Sequence, residues 1–186
     1  TPGVVGYPSN GGYAMDTSPS GDLYGTISSY LYLISPVDGH ATNLGPFTCN
    51  GVPLTYPYPP QYVYGITFAA DGRLYAVTWT YDNTQRLYRS RSTLTDLELV
   101  GQLTNTYSGQ FVWGLEYADG VLYAGGDMLC SIDPATAAVT RIGGVSTRDL
   151  DLGTDGVLRA TVTGDRLVEI DKQTGLSSPI SACSPY

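Results

Sequence analysis

Positive charge is scarce in this sequence. Of its 186 residues, 9 are Lys or Arg and 17 are Asp or Glu, so the formal net charge is −8. Binding to nucleic acid or to an anionic membrane surface needs basic patches, and we therefore expect neither partner. No apolar stretch approaches the roughly 18 residues that a membrane-spanning helix requires, so no membrane span is predicted.

The residues that most often carry chemistry are also few. The sequence contains one histidine, His40, and three cysteines without the CxxC spacing of metal sites. A nucleophilic triad needs a base, and a zinc site needs several ligands. Phosphate-binding glycine motifs and the GxSxG nucleophile motif do not occur. The sequence therefore predicts a protein that is not an enzyme, with no catalytic residue, no metal site and no cofactor.

The three cysteines are an odd number, so they cannot all pair within one molecule. Cys130 stands in an apolar strand and is interpreted as a buried free thiol. Cys49, in a loop, and Cys183, near the end of the sequence, are the disulfide candidates, within the chain or between neighbouring molecules. Low charge, few lysines and a first residue other than Met favour a secreted, extracellular protein whose signal peptide has been removed.

Glycine, proline and tyrosine are abundant, with 23, 12 and 16 residues. This composition is typical of many short strands joined by tight turns. A turn followed by Leu-Tyr occurs three times, and a fourth copy has Arg in place of Tyr. The four pairs are Leu23-Tyr24, Leu74-Tyr75, Leu122-Tyr123 and Leu158-Arg159. Their spacing, about 36 to 51 residues, is the size of one propeller blade.

Each repeat has the pattern of four short strands in a meander. The predicted fold class is therefore all-β: a single four-bladed β-propeller with four antiparallel strands per blade. Blade one with a Tyr/Pro loop takes residues 13–61, and the other blades take 62–110, 111–145 and 146–186. Residues 1–12 are left over as an extra strand segment, which either closes its own ring or pairs with a neighbouring molecule. Asp-Gly pairs before the Leu predict two-residue hairpin turns of the primed type.

The repeat also carries a resemblance. Leu-Tyr-Gly/Ala, then Leu-Tyr-x-Ile-Asp-Pro-x-Thr, then Ile-Gly resembles the repeats of exported bacterial propeller proteins whose function is poorly defined. The pattern is also broadly similar to quinoprotein-type and NHL-type propellers. The resemblance implies an extracytoplasmic propeller and supplies no catalytic residue. It does not support a quinone cofactor, because the chain is too short for the larger ring of those enzymes.

Three insertions interrupt the repeats, at residues 48–60, 79–86 and 104–110. They combine Tyr, Trp and Pro with small polar residues, which is typical of adaptable binding surfaces. With the N-terminal segment and the strand after the third insertion, they supply the candidate assembly and binding residues. These are Val4, Val5, Tyr7, Tyr56, Tyr58, Trp79, Tyr81, Tyr107 and Trp113.

Three functions remain open at this point. The first is a structural protein that assembles with itself into an extracellular fibre or surface layer, through strand addition and loop contacts. The second is a lectin-like propeller that binds an extracellular glycan through Trp79, Tyr81, Tyr107 and Trp113. The third and weakest is a hydrolase with its site in the central channel. Its paired carboxylates would be Asp149 and Asp151, or Asp16 and Asp22.

Overall fold

The computed structural model describes residues 12–55, 61–80, 82–104, 112–144, 146–162 and 166–180. These residues form 18 β-strands in four sheets, and none of them is helical. The prediction of an all-β, four-bladed propeller with four antiparallel strands per blade is confirmed. The described part of the chain accordingly contains no helix with the length and hydropathy to cross a membrane.

The four sheets follow one another along the chain. The first contains β1 (Gly12–Thr17), β2 (Leu23–Ile27), β3 (Tyr30–Ile34) and β4 (Ala41–Pro46). The second contains β7 (Tyr62–Phe68), β8 (Leu74–Trp79), β9 (Gln85–Ser90) and β10 (Asp96–Gln102), with β5 (Thr48–Cys49) and β6 (Val52–Pro53) at its edge. The third contains β11 (Val112–Ala118), β12 (Val121–Gly126), β13 (Leu129–Ile132) and β14 (Val139–Gly143). The fourth contains β15 (Thr147–Leu152), β16 (Leu158–Val162), β17 (Arg166–Ile170) and β18 (Ser177–Pro179).

Three apolar clusters hold neighbouring sheets together. Leu31 of the first sheet packs with Ile66 and Leu97 of the second. Further clusters join the second sheet to the third and the third to the fourth. Strand alternation produces this arrangement, because every second side chain points to the same face of a sheet. Each fully buried Leu or Ile contributes about 1.5–3 kcal/mol relative to an exposed one.

The first strand of each sheet lies closest to the channel, and glycine lets these innermost strands approach one another. β1 contacts β7, β7 contacts β11, and β11 contacts β15. A Cβ atom on Gly114 would lie 2.9 Å from the Cα of Asp149, and one on Gly65 would lie 3.1 Å from the carbonyl oxygen of Trp113. A larger side chain at Gly114 would therefore push two innermost strands apart.

The turn prediction is correct for one of the three Asp-Gly pairs and wrong for the other two. Asp119 and Gly120 both have positive φ, as a two-residue primed turn requires. The other first turns have three residues, of which only the last, a glycine, has positive φ. Asp71 illustrates the reason: it accepts a hydrogen bond from the Arg73 amide and so stabilises the turn through its side chain.

The first insertion is not simply a loop after blade one. Residues 48–53 form the short hairpin of β5 and β6, and β5 pairs in parallel with β10 of the second sheet. Cys49, predicted to lie in a loop, is in β5 and forms no disulfide with a cysteine that the structure describes. The sequence pattern did not reveal this pairing because β5 has only two residues and its partner lies nearly fifty residues later in the chain.

Candidate functional site

One position on each innermost strand carries a polar side chain towards the channel. These positions are Asp16, Thr67, Glu116 and Asp151, and each lies opposite the residue that follows the repeated Leu on the second strand. Asp149 lies two residues before Asp151 on β15. Three carboxylates, those of Asp16, Asp149 and Asp151, are close enough to act electrostatically on Glu116.

Three of these side chains, those of Asp16, Thr67 and Glu116, connect one sheet to the next. Asp16 accepts a hydrogen bond of 2.8 Å from the amide of Phe68, and Thr67 accepts one of 3.0 Å from the amide of Tyr117. Glu116 accepts a hydrogen bond from the amide of Leu152. The donors occupy equivalent positions on successive innermost strands. The polar residues therefore act as a repeated hydrogen-bonded link along the channel, which we call the channel link.

Burial raises the pKa values of three carboxyl groups in this region, those of Asp16, Glu116 and Asp149. Burial, together with the negative charges of Asp16, Asp151 and Asp149, raises the pKa of Glu116 to about 8. Burial is also the main cause of the raised pKa values of Asp16 and Asp149. Glu116 is 9% exposed. It is therefore largely protonated at neutral pH.

A protonated glutamic acid beside carboxylates is the arrangement that acid–base enzymes use. Here, however, Glu116 is buried and holds the amide of the next sheet, so its environment is explained by the packing of the propeller. The predicted Asp149 and Asp151 pair does belong to this cluster, whereas Asp22 lies in the exposed β1–β2 turn and accepts a hydrogen bond from Ser20. The described residues hold no group of three or more His, Cys, Asp or Glu placed to bind a metal ion.

An aromatic cleft lies between the second and third sheets. Tyr64, Trp79, Gln85, Val112 and Trp113 line this cavity of about 180 Å³. The Tyr64 ring stands edge-on to both tryptophans, with centroid distances of 6.1 Å to Trp79 and 5.2 Å to Trp113. Trp113 is 40% exposed, so part of its ring system is open to solvent. Large apolar surface is concentrated here next to groups that can form hydrogen bonds.

The second sheet fixes the position of Trp113 through a buried glutamine. The Gln85 side-chain amide donates a 3.0 Å hydrogen bond to the carbonyl of Val112 and accepts one of 3.0 Å from its amide. Both polar atoms of this side chain are thus satisfied although the residue is 5% exposed. The start of β11, and with it Trp113, is therefore held against β9.

All three insertions lead into strands that end beside the cleft, although the described part of the first, β5 and β6, pairs with the start of β10 at the other end of the propeller. The first leads into β7, the third leads into β11, and the second joins β8 to β9. In an antiparallel meander, the start of the first strand and the connection between the second and third strands lie at the same end. The strand ends beside the cleft are therefore ones that the insertions connect.

The structure brings together two of the predicted binding residues, Trp79 and Trp113. The other predicted residues lie outside the described ranges, so their roles stay predictions: Val4, Val5, Tyr7, Tyr56, Tyr58, Tyr81 and Tyr107. The same holds for Cys183 and so for its pairing with Cys49. Cys130 is a buried free thiol, as predicted.

Sequence reasoning missed Tyr64, Gln85 and Glu116. A signal was present for two of them, because Tyr64-Gly65-Ile66 and Trp113-Gly114-Leu115 occupy the same place in successive repeats. Aligning the innermost strands also places Glu116 beside Thr67 and Asp151. Gln85 had no comparable signal, since its role depends on contact with the following sheet.

Comparison with known proteins supports the fold without supplying a family. No protein-family model and no curated protein matches the chain. A protein of unknown function from Bacteroides thetaiotaomicron is 15% identical, with a TM-score of 0.65 over 92% of this chain and 48% of that one. The glutaminyl cyclase of Myxococcus xanthus is 20% identical, with a TM-score of 0.57 over 88% of this chain and 67% of that one.

A third structure is the extracellular domain of a protein assigned to the one component systems of Bacteroides thetaiotaomicron. It is 18% identical, with a TM-score of 0.54 over 93% of this chain and 23% of that one. The chain thus spans between about a quarter and two thirds of these structures. At such identities the likeness is one of fold, and it includes both an enzyme and an extracellular domain. The chain is similar to bacterial β-propellers, some of them extracellular.

Proposed function

We propose that this protein is a secreted, non-enzymatic binding propeller that holds a neutral glycan in the aromatic cleft. The observation that carries the proposal is the meeting of Tyr64, Trp79 and Trp113 around one cavity between the second and third sheets. Indole and phenol rings present a flat apolar surface with a polar edge, which suits the alternating C–H and O–H groups of a sugar.

The size and charge of the cleft narrow the ligand. Pockets for drug-sized molecules are about 300–1,000 Å³, whereas this cavity is about 180 Å³. One sugar ring, such as the end of a longer chain, is the expected occupant. None of the described residues that line the cleft is charged, which favours a neutral ligand.

Tryptophan fluorescence tests the proposal directly, because both tryptophans of the chain line the cleft. A glycan array would identify ligands, and titration of the best ligand should shift the emission. Trp113→Ala should weaken binding by about thirtyfold, the effect of losing a hot-spot residue, and Trp113→Phe should restore part of it. Leu99→Ala, at an exposed leucine of β10, is the matched control and should bind like the wild type. An array without ligands would overturn the proposal.

Self-assembly is a second candidate, and one described feature favours it. β18 is the outer strand of the fourth sheet, and its three residues are exposed. No strand of the described residues pairs with its outer edge, and such an edge can accept a strand from another molecule. If residues 1–12 supply that strand, their deletion should convert assemblies into monomers in light scattering. Monodisperse monomers of the full chain at high concentration would remove this candidate.

A hydrolase in the channel is the weakest candidate. Its support is the proximity of Glu116 to Asp16 and Asp149. The channel link gives these side chains a structural role, so the proposed function does not draw on them.

A further inference from the structure

A second groove lies at the opposite end of the propeller from the aromatic cleft. Two cavities of about 310 and 320 Å³ lie beside the β1–β2, β7–β8 and β9–β10 turns. Both are lined by Asp71, Gly72 and Leu94, so they form one continuous depression. We call this depression the turn groove.

One half of the turn groove carries two arginines and one carboxylate, that of Asp71. Arg73 and Arg91, two of the chain's nine cationic residues, line one half of it. Their side chains are 44% and 41% exposed. The Arg73 guanidinium lies 3.8 Å from the Asp71 carboxylate, which is a loose ion pair at the surface.

Arg91 is also incompletely neutralised. Its Nε lies 3.5 Å from the carboxylate of Glu98, and its Nη2 donates a 3.0 Å hydrogen bond to Asn50. Glu98 is already the ion-pair partner of Arg89. One carboxylate therefore serves two guanidinium groups, which leaves Arg91 able to bind a further anion.

Neutral polar residues lie beside the two arginines. Ser90, Ser92 and Thr93 line the same half of the groove. The backbone amides of Ser92 and Thr93 have no acceptor among the residues that the structure describes. Consecutive amides in a turn are common ligands of anions. The turn thus adds donors that do not depend on arginine.

The other half of the groove is aromatic. Tyr24 and Phe68 lie along it with ring centroids 5.1 Å apart, and Tyr24 is half-buried. The hydroxyl groups of Ser18 and Ser20 lie at the rim of this half. A ligand that spans the groove would therefore place an oxyanion at one end and a ring with hydroxyl groups at the other.

We propose that the turn groove binds a carboxylate-bearing oligosaccharide, such as a short chain of uronic acid residues. Arg73 and Arg91 hold the carboxylate, and Tyr24 contacts the neighbouring sugar ring. The planar guanidinium group matches the geometry of a carboxylate and can bind both of its oxygens. This site is separate from the aromatic cleft, and its ligand differs in charge.

Calorimetric titration with trigalacturonate tests the proposal, with the methyl-esterified trimer as the neutral control ligand. The wild type should bind the acid and not the ester. Arg73→Gln and Arg91→Gln should each weaken binding about tenfold, which corresponds to about 1.4 kcal/mol. Arg166→Gln, at an exposed arginine of β17, should bind as the wild type does. Arg91→Lys keeps a positive charge beside Glu98 and so controls for a purely structural effect of losing that ion pair. It should retain part of the affinity.

Several results would overturn the proposal. They are an absence of trigalacturonate binding, equal binding of the ester, equal affinity of Arg73→Gln, and a preference for a sulfated galactose oligosaccharide over the carboxylate. Trp113→Ala distinguishes this site from the aromatic cleft. It should leave trigalacturonate binding unchanged, whereas a parallel loss would place the acidic sugar in the cleft instead.

Discussion

The two faces of β11 differ in what they bury and in how burial changes stability. Leu115 points to the second sheet and joins the apolar cluster between the second and third sheets. Its neighbour Glu116 points to the fourth sheet and joins the channel link. Burying an apolar side chain stabilises the fold at every pH, whereas burying a carboxyl group does so only while it holds its proton. Adjacent residues on one strand should therefore respond oppositely to substitution.

The largest effect is expected on the apolar face. Leu115→Ala should lower the free energy of unfolding by about 4 kcal/mol, because a cavity replaces a buried side chain. Urea denaturation at pH 7 and at pH 9 measures this loss, which should be the same at both values. Leu99→Ala, at a half-exposed position, is the control and should stay within about 0.5 kcal/mol of the wild type. Equal losses in the two variants would contradict the described packing.

Substitution of Glu116, on the other face of β11, should raise the free energy of unfolding instead of lowering it. The folded-state pKa of Glu116, about 8, is above the ordinary value of 4.5. The native state therefore binds more protons than the unfolded state between these values, and stability falls as the pH rises through them. Glu116→Gln should remove this fall while still accepting the Leu152 amide. We expect a gain of about 3 kcal/mol at pH 9 that shrinks towards pH 5.

Urea titrations from pH 5 to pH 9 measure this dependence. Glu169→Gln, at a glutamate whose side chain is 45% exposed, provides the control and should keep the slope of the wild type. A Glu116→Gln protein with the wild-type slope would mean that Glu116 is ionised in the folded protein at neutral pH.

A smaller change is expected at Asp149. Its charge raises the pKa of Glu116, and its own pKa is raised by burial. Asp149→Asn keeps an oxygen for the Leu150 amide, which now donates a 3.0 Å hydrogen bond to Asp149. We expect a gain of about 1 kcal/mol at pH 9, since one of the charges acting on Glu116 disappears. In the Glu116→Gln background this gain should shrink, and an unchanged gain would show that the two groups are not coupled.

The smallest effect is expected for a surface ion pair of the fourth sheet. Arg159, opposite Asp151 in the fourth sheet, forms ion pairs with Asp155 and Glu169. Exposed pairs of this kind contribute little, because water already solvates both partners. Asp155→Asn should leave the denaturation midpoint within experimental error at any salt concentration. A clear, salt-sensitive loss would show that the pair is better shielded from solvent than the structure indicates.

The sequence predicted the parts of the fold that depend on local chemistry. The repeated Leu-Tyr pairs, the glycines of the turns and the alternation of strands such as Ile66-Thr67-Phe68 act over a few residues. They were sufficient to give the number of blades and the number of strands in each. The details of two turns were wrong, because Asp71 and its counterpart Asp155 can stabilise a longer turn as well as a shorter one.

The candidate site was predictable only in part. Trp79 and Trp113 stood out as rare residues, but their meeting around Tyr64 depends on two adjacent sheets. The same is true of Glu116, whose pKa depends on carboxylates from two other sheets. The arginines of the turn groove lie on different turns, and nothing in their spacing along the chain joins them.

By itself, the sequence determined that this chain forms four short-stranded sheets, since turn preference and strand alternation are local properties. The tertiary structure decided which faces of those sheets meet. It placed three aromatic rings in one cleft, four carboxyl groups around one channel and two arginines in one groove. The physical reason is that burial, electrostatic interaction and cavity shape depend on distances through space, and these are set only when the sheets pack around a common axis.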